Sequence, residues 1–349
     1  MSDNYHIKIS TAATGTITAA YMNCLHRKML VLFILIGVVF LIGVYAITQG
    51  AYEIPIRAVL GALTGQLKGA SGVVIRNIRL PRVIAALVCG WGLSISGLTI
   101  QSLLKNPLGS PSTLGISHGA AFGAALSIVA FGGKVFSVTM FAFGGAMTAT
   151  FVILLLSGLK KLSPETIILA GVALSALFSS ATILIQYLAT ETELAMVVFW
   201  TFGDVARSSW HEILILSVSV AAASIFLTAL RWDLNALSSG EETAKGLGVN
   251  VEKIRIAGMI AAAIISALAT AFHGIIAFIG LIAPHMAKRL VGDDHGMLIP
   301  FSAVIGALLL LISDTLGRVF IGSGALPVGV ITSFFGAPIF LYLLIRGYK

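Results

Sequence analysis

Charged residues are scarce in this sequence. Asp, Glu, Lys and Arg together make up 10% of the 349 residues, whereas 58% are hydrophobic. The surface of a soluble domain needs far more charge, so this composition excludes an ordinary water-soluble protein. The hydrophobic residues occur in runs of about 20, the length that a helix needs to cross the hydrocarbon core of a bilayer. We therefore expect a polytopic integral membrane protein.

Cysteine is almost absent. Cys24 and Cys89 are the two cysteines of the sequence, and they can form neither a disulfide framework nor a pattern with metal-ligand spacing. The net charge is +8, but the basic residues are scattered at the ends of apolar segments. A patch of basic and aromatic residues, which nucleic-acid binding needs, is missing, so we expect no nucleic-acid partner.

The sequence also lacks a phosphate-binding loop. No Gly-x-x-x-x-Gly-Lys-Ser/Thr segment occurs in it, so we expect no ATP hydrolysis by this chain. We find no paired catalytic groups within an apolar run, and we therefore predict no catalytic residue and no bound metal. An intramembrane enzyme is thereby disfavoured.

The apolar runs predict ten transmembrane helices and hence an all-α membrane fold. Residues 1–28 are interpreted as a cytoplasmic tail, and residues 29–349 as a single transmembrane domain. The predicted helices are at about residues 29–48, 82–103, 114–131, 136–158, 165–188, 211–230, 255–272, 275–291, 297–316 and 328–346.

The distribution of basic residues predicts the orientation. With the N-terminus inside, 14 of the 22 Lys and Arg residues fall on the cytoplasmic side and 8 on the outer side. Cytoplasmic loops of membrane proteins carry such an excess of basic residues. We therefore expect the protein to lie in the cytoplasmic membrane with both termini in the cytoplasm.

The most polar loop, at about residues 234–253, lies on the predicted cytoplasmic side. Its glycines and capping residues predict short helices that end before a longer helix begins near Asn250. Such a loop could be a docking site for a soluble partner or a solvated connector.

Two stretches punctuated by Gly and Pro echo one another. One begins at Asn106 after the second predicted helix, and the other begins at Gly280 after the seventh. Because these two helices run in opposite directions, the echo favours an inverted repeat, which is common in transporters.

Several motifs, in order along the chain, resemble those of the FecCD-type permease family. They are Arg79-Leu80-Pro81-Arg82, Gln101 with Asn106-Pro107-Leu108, Leu114-Gly115-Ile116-Ser117, Leu169-Ala170-Gly171-Val172-Ala173-Leu174, Gly240-Glu241, Phe278-Ile279-Gly280-Leu281-Ile282-Ala283-Pro284-His285, Leu326-Pro327-Val328-Gly329-Val330 and Gly336-Ala337-Pro338.

The resemblance implies a type II fold, that of the permease subunits of ABC importers for metal chelates. It implies a second permease subunit, expected to be an identical chain, and two separate ATPase subunits that bind ATP and Mg. A substrate-binding protein would deliver the cargo, for which iron–siderophore is our first expectation. Cobalamin, haem and an oxyanion such as molybdate are alternatives.

The resemblance also assigns roles to residues. The predicted ATPase-coupling residues are Gly240, Glu241, Glu242, Ala244, Leu247 and Gly248. The predicted contacts to the binding protein are the outward-facing Arg79, Arg82 and Arg318. The predicted cytoplasmic gate consists of Asn106, Leu108, Ser163 and Pro164, although Pro164 and Glu165 depart from the small hydroxyl residues expected there.

One carboxylate, Asp314, falls within a predicted span. An unpaired carboxylate at such a position is costly and usually functional, and a secondary transporter driven by an ion gradient would need one near mid-membrane. Asp314 lies near the end of its span, and Arg318 is a suitable partner at i+4. His118, His273 and His285 are alternative metal ligands, but they fall in three separate segments.

Overall fold

The computed structural model describes residues 11–50, 54, 55, 57, 59, 61, 69–160, 163–320 and 326–345. Every regular element among them is a helix. The helices are α1 Thr11–Thr48, α2 Ala70–Val74, α3 Leu80–Leu104, α4 Ile116–Phe131, α5 Val135–Lys160, α6 Pro164–Leu188, α7 Glu191–Thr201, α8 Trp210–Ala229, α9 Arg231–Ser238, α10 Glu241–Gly246, α11 Val251–His273, α12 Ile279–Val291, α13 His295–Phe320 and α14 Val328–Ile345. A π-helical turn, Ile75–Arg79, joins α2 to α3.

Helices occupy all ten predicted positions. Among the described residues, seven helices are long and apolar enough to cross a membrane. Shorter apolar helices lie at the third and tenth positions, and the 13-residue α12 lies at the eighth. The prediction of an all-α polytopic membrane protein is confirmed.

Two helices begin at residues that differ clearly from the prediction, and each has a local cause. Helix α1 begins at Thr11 rather than residue 29, and no proline between residues 11 and 28 interrupts it. Residues 1–10 of the predicted tail and 346–349 lie outside the described residues. Helix α12 begins later than predicted, since Gly274 (φ 77°) and Phe278 (φ 66°) adopt left-handed conformations that interrupt the chain.

Helix α7 was not predicted. It lies in what the sequence suggested was a loop, and it begins with a capping box. The Thr190 side chain accepts a hydrogen bond from the backbone N–H of Glu193, and the Glu193 carboxylate accepts one from the backbone N–H of Thr190. This Thr-x-x-Glu pattern is a known start signal, so the helix could have been found from the sequence.

Helix α3 is the centre of the bundle and packs against α8, α11, α12 and α13. In the most apolar stretch of the continuous helix Ser71–Leu104, 83% of the residues are buried. Glycines allow these helices to approach closely: a Cβ atom on Gly90 would collide with the backbone of Gly306 in α13, and one on Gly97 would collide with the backbone of Gly280 in α12. Small residues at such contacts are typical of helix packing in membranes.

The two stretches that echo each other in sequence lie side by side. Ser110 and Pro111 of the first stretch and Gly280 and Leu281 of the second line the same cavity of about 150 Å³. Irregular backbone within a membrane domain is tolerated where it is buried in protein or lines a cavity.

Candidate functional site

Two short helices project from one end of the bundle. They are α9 and α10, and together with the residues up to Gly248 they form a surface that we call the knob. Leu234 and Leu237 of α9 are buried, at 2% and 1% exposed, so an apolar face holds α9 to the bundle. Gly240, with φ 133°, makes the turn between the helices, a conformation that favours glycine.

Helix α10 is tied to the bundle by a charged side chain. The Glu241 carboxylate lies 3.0 Å from Nη2 of Arg255 on α11 and 3.0 Å from Nζ of Lys245, one turn further along α10. The hydrogen bond from Lys245, and after it the one from Arg255, outweigh partial burial and lower the pKa of Glu241 below its usual value. Glu241 therefore stays ionised at neutral pH and fixes α10 to α11.

The knob presents an apolar tip. Ala244 is fully buried and anchors α10, whereas the Leu247 side chain is 69% exposed. Gly248, with φ 84°, ends the knob beside this leucine, and Glu242 is exposed on the first turn of α10. An exposed leucine next to charged groups is a suitable contact for a soluble protein.

The structure brings the six residues predicted to couple to an ATPase together in the knob. Five of them lie at or near the surface, and Ala244 alone is buried. Their role in coupling stays a prediction. Sequence reasoning missed Arg255, which holds Glu241 in place.

The four predicted gate residues fall in two places. Asn106 lines a cavity of about 640 Å³ at the end of α3, and its Oδ1 atom accepts a hydrogen bond from the backbone N–H of Leu108 at 2.8 Å. Ser163 and Pro164 line a separate cavity of about 340 Å³ that also borders Glu241. Among the described residues of this chain, therefore, the two parts of the gate do not meet.

Packing of the bundle explains the separation of the two cavities. Helix α11 lies between them, and its Gly258 packs against the Leu103 side chain of α3. Ser163 caps α6, since its Oγ atom accepts a hydrogen bond from the backbone N–H of Thr166. Ser163 and Pro164 thus lie next to the knob, since Glu241 and Lys245 line the same cavity.

A second charged group lies at the far end of the bundle from the knob. We call it the arginine cluster; its members are Arg79, Arg82, Asp204, Asp314 and Arg318. Asp314 is fully buried, and its two carboxylate oxygens lie 2.8 Å from Arg82 Nε and 3.1 Å from Arg318 Nη2. Asp204 lies 3.9 Å from Arg82 Nη2.

Two arginines of the cluster also hold the end of α1. Arg79 Nη1 donates to the carbonyl oxygens of Ile47 and Thr48, both at 2.8 Å. Arg318 Nη1 donates to the carbonyl oxygen of Ala46 at 2.7 Å. Cations at a helix C-terminus satisfy its last carbonyls and oppose its negative dipole end.

The three arginines predicted to face the outer side of the membrane have largely buried side chains. Arg79 and Arg318 are 5% and 7% exposed, and 11% of the Arg82 side chain is exposed. They turn inward because Asp314 and the carbonyls of α1 would otherwise be buried without partners. Contact with a binding protein stays a prediction for them. The predicted pairing of Asp314 with Arg318 is confirmed, whereas the contact with Arg82 was not foreseen.

The histidines form no metal site among the residues that the structure describes. No group of three or more His, Cys, Asp or Glu side chains there could hold a metal ion. His273 is buried and hydrogen-bonded to Ser208 Oγ and the Ala269 carbonyl, a structural arrangement. His118 and His285 lie on separate helices, α4 and α12.

The model of the FecCD transport family matches residues 38–346. The protein belongs to the FecCD family. MJ0087 of Methanocaldococcus jannaschii, which is named as an ABC transporter permease protein, is 48% identical over 93% of this chain and 96% of its own length. The iron(3+)-hydroxamate import permease FhuG of Bacillus subtilis is 35% identical over 91% of this chain and 96% of its own.

The solved structures agree with this placement of the FecCD permease. An inward-facing structure described as a metal-chelate type ABC transporter superposes with a TM-score of 0.82 at 33% identity, and covers 90% of this chain and 99% of its own. The type II ABC importer permease fold is therefore confirmed. Permeases of this family are not enzymes, because the ATPase is a separate subunit. The names of further relatives specify Fe(3+)-citrate, hemin, molybdate or cobalamin.

Proposed function

We propose that this FecCD permease moves a metal chelate, with iron–siderophore as the first candidate, across the cytoplasmic membrane. The observation that carries the proposal is the knob. Its exposed Leu247 tip stands on a helix that Ala244 and the Glu241–Arg255 pair fix to the bundle. A surface held this firmly can transmit force from a docked partner, which a flexible connector cannot do.

The proposed complex has two permease subunits, both copies of this chain, and two ATPase subunits. ATP and Mg bind to the ATPase subunits, and this chain holds no cofactor of its own. Each knob is inserted into an ATPase subunit, so the knob and both termini lie in the cytoplasm. The excess of basic residues on that side supports this orientation.

A substrate-binding protein is proposed to dock at the far end of the bundle. The arginine cluster there has three guanidinium groups and two carboxylates, which leaves a net charge of +1. This charge favours approach of an acidic surface, and such attraction acts mainly on the rate of association. Arg79, Arg82 and Arg318 would act through this field and through their hold on α1.

Asn106, Leu108, Ser163 and Pro164 are proposed to close the cytoplasmic end of the pathway. Within one chain, Asn106 borders one cavity and Ser163 and Pro164 border another, so the gate needs the second permease subunit to bring the two parts face to face. Leu108 is 44% exposed and can supply an apolar contact across the subunit boundary.

The geometry of Asp314 disfavours an ion-driven secondary transporter. A carboxylate that carries an ion or a proton has to exchange its partner during transport. The carboxylate of Asp314 is paired with two guanidinium groups, so its charge is already balanced without a transported cation.

Uptake into proteoliposomes tests the proposed function. The vesicles contain the permease with its ATPase and binding protein, and receive labelled ferric siderophore, cobalamin, haem or molybdate. We expect uptake of one of these cargoes that needs both ATP and the ATPase. Uptake that persists without the ATPase and stops when an ionophore collapses the ion gradient would instead establish a secondary transporter.

A charge reversal locates the site of coupling. Glu241→Arg places a cation beside Arg255 and Lys245, and we expect it to abolish ATP-driven uptake and weaken ATPase binding. The matched control is Glu191→Arg, which makes the same reversal beyond the opposite end of α6, a helix of 25 residues and hence about 37 Å long. Equal loss of ATPase binding in both variants would show that the knob is not the docking site.

A further inference from the structure

A buried histidine connects three helices beside the knob. His295 is the first residue of α13 and is 2% exposed. Its backbone N and its ring Nδ1 each lie 2.8 Å from Oδ1 of Asn235 on α9. Its Nε2 lies 2.7 Å from Oγ of Ser102 on α3. We call Asn235, His295 and Ser102 the histidine bridge.

The hydrogen bonds determine which ring nitrogen of His295 carries the proton. Asn235 Nδ2 donates to Asp294 Oδ1 at 2.8 Å, so Oδ1 of Asn235 is left as the acceptor for both His295 nitrogens. The ring proton is therefore on Nδ1, and Nε2 accepts from the Ser102 hydroxyl. Every polar atom of the ring has a partner, and a satisfied buried network of this kind favours one arrangement of its helices.

The bridge lies between the knob and a part of the predicted gate. Ser102 is one helical turn before Asn106, at i+4, and Asn235 is on the helix that directly precedes α10. Ser102, Asn106 and His295 line the same cavity of about 640 Å³, together with Ser238 and Ser239 of the knob. An open space therefore separates much of α9 from the end of α3, and the imidazole crosses it.

Apolar packing alone would not fix this connection. Leu234 and Leu237 belong to the same apolar cluster as Leu103 and Leu104 of α3. Apolar contacts have no direction and allow helices to slide. The hydrogen bonds of His295 have defined directions and lengths, and they set the position of α9 relative to α3.

We propose that His295 is a positioning residue that passes a displacement of the knob to the gate-bearing end of α3. Through His295, ATP hydrolysis on the partner is coupled to opening of the gate at Asn106. This inference rests on the proposed function, because it needs an ATPase that moves the knob.

The chain offers a matched control. His273 is fully buried at the other end of α11, and its Nε2 lies 2.8 Å from the Ser208 hydroxyl while its Nδ1 lies 3.0 Å from a backbone carbonyl. The two histidines thus have the same kind of partners, but neither Ser208 nor Ala269, the partners of His273, belongs to the knob.

The test measures uptake and ATP hydrolysis in the same proteoliposomes, with the complete complex and the cargo that the wild type transports. His295→Gln and His295→Asn interrupt the bridge at its centre, and Ser102→Ala removes its bond to α3. We expect hydrolysis to continue while the amount transported per ATP falls about tenfold, the effect of losing one buried hydrogen bond of about 1.4 kcal/mol. The double variant of positions 102 and 295 should be no worse than the His295 variant, because the two side chains act through one link.

His273→Gln should lower the melting temperature without changing the amount transported per ATP. An unchanged ratio in the His295 and Ser102 variants would overturn the proposal, as would an equal fall in the His273 variant. If the His295 variants do not fold, Ser102→Ala, which removes one hydroxyl, decides the question. A wild-type complex that transports nothing in response to ATP would overturn the proposed function and the bridge with it, whereas normal wild-type transport with unchanged ratios would overturn the bridge alone.

Discussion

The two ends of the protein contain the same ion-pair pattern in opposite surroundings. At the far end, Asp314 and Arg318 are four residues apart, and their side chains are 0% and 6% exposed. In the knob, Glu241 and Lys245 are also four residues apart, and their side chains are 39% and 61% exposed. The nitrogen-to-oxygen distances, 3.1 Å and 3.0 Å, are nearly equal.

The comparison shows that spacing alone does not determine what a charged pair contributes. In the far-end pair the charges lie out of water, so each needs partners, and Arg82 and the carbonyl of Ala46 supply them. In the knob, water already solvates both charges, and the pair has little left to gain. The far-end pair therefore stabilises the bundle, while the knob pair orients a surface for a partner.

The largest effect is expected from Asp314→Asn. This change keeps the volume but leaves Arg318 buried without a counter-charge and Arg82 with only Asp204, at 3.9 Å. Removing one partner of a buried ion pair costs about 3–5 kcal/mol. We expect most of the folded protein to be lost and the melting temperature in detergent to fall steeply. Asp204→Asn is the control, because Asp204 is partly exposed and 3.9 Å from Arg82. Similar melting temperatures for the two variants would contradict a structural role for Asp314.

A smaller effect is expected from Arg318→Gln. Asp314 keeps Arg82 as its partner in this variant, but the bond to the Ala46 carbonyl is lost. Loss of a hydrogen bond to a charged group costs about 1.5–3 kcal/mol, so the melting temperature should fall less than in Asp314→Asn. Proteolysis of α1 should become faster, since Arg318 holds the end of this helix. A variant as resistant as the wild type would show that Arg79 alone holds α1.

The smallest effect is expected from Glu241→Gln, about 0.5 kcal/mol as for other exposed pairs. Because the pKa of Glu241 is lowered in the folded protein, its stabilising contribution is complete above the usual pKa of glutamate in the unfolded chain. That contribution is lost as the pH falls through the lowered pKa. The difference in melting temperature between wild type and variant should thus stay nearly constant from pH 7 down to the usual glutamate pKa of 4.5. It should shrink toward zero only as the pH is lowered further, through the lowered pKa of Glu241. A difference that grows on acidification would mean that the carboxylate is not the stabilising form.

Local patterns predicted much of this protein, and contacts between distant segments were what the sequence could not supply. Helices fill the predicted positions because apolar runs of about 20 residues have few alternatives in a bilayer. The Asp314–Arg318 pair was predictable because both residues lie on one helix face. Arg82 comes from a helix 232 residues away in the chain, and nothing in the local sequence marks it as a partner of Asp314.

The same limit explains the arginines and the gate. The resemblance placed the three arginines on the outer side of the membrane, but whether their side chains are exposed depends on where α1 ends relative to α3, which composition does not fix. The separation of the gate residues into two cavities likewise depends on the packing of distant helices. The bridge was missed for the same reason, since Ser102, Asn235 and His295 come from three separate segments. The helix α7, by contrast, has a readable start signal in Thr190 and Glu193.

Cross-linking tests most directly whether the knob, and not the far end, meets the ATPase. Leu247→Cys and Val319→Cys place a thiol at positions that are 69% and 49% exposed at opposite ends of the bundle, in a background where Cys24→Ser removes the exposed native thiol. The cross-linking reagent carries a maleimide for the introduced thiol and an amine-reactive ester for lysines of the ATPase. Treatment of the complete complex with it should join the permease to its ATPase through position 247 and not through position 319. A product through position 319, or none through position 247 in a complex that transports its cargo, would contradict the account.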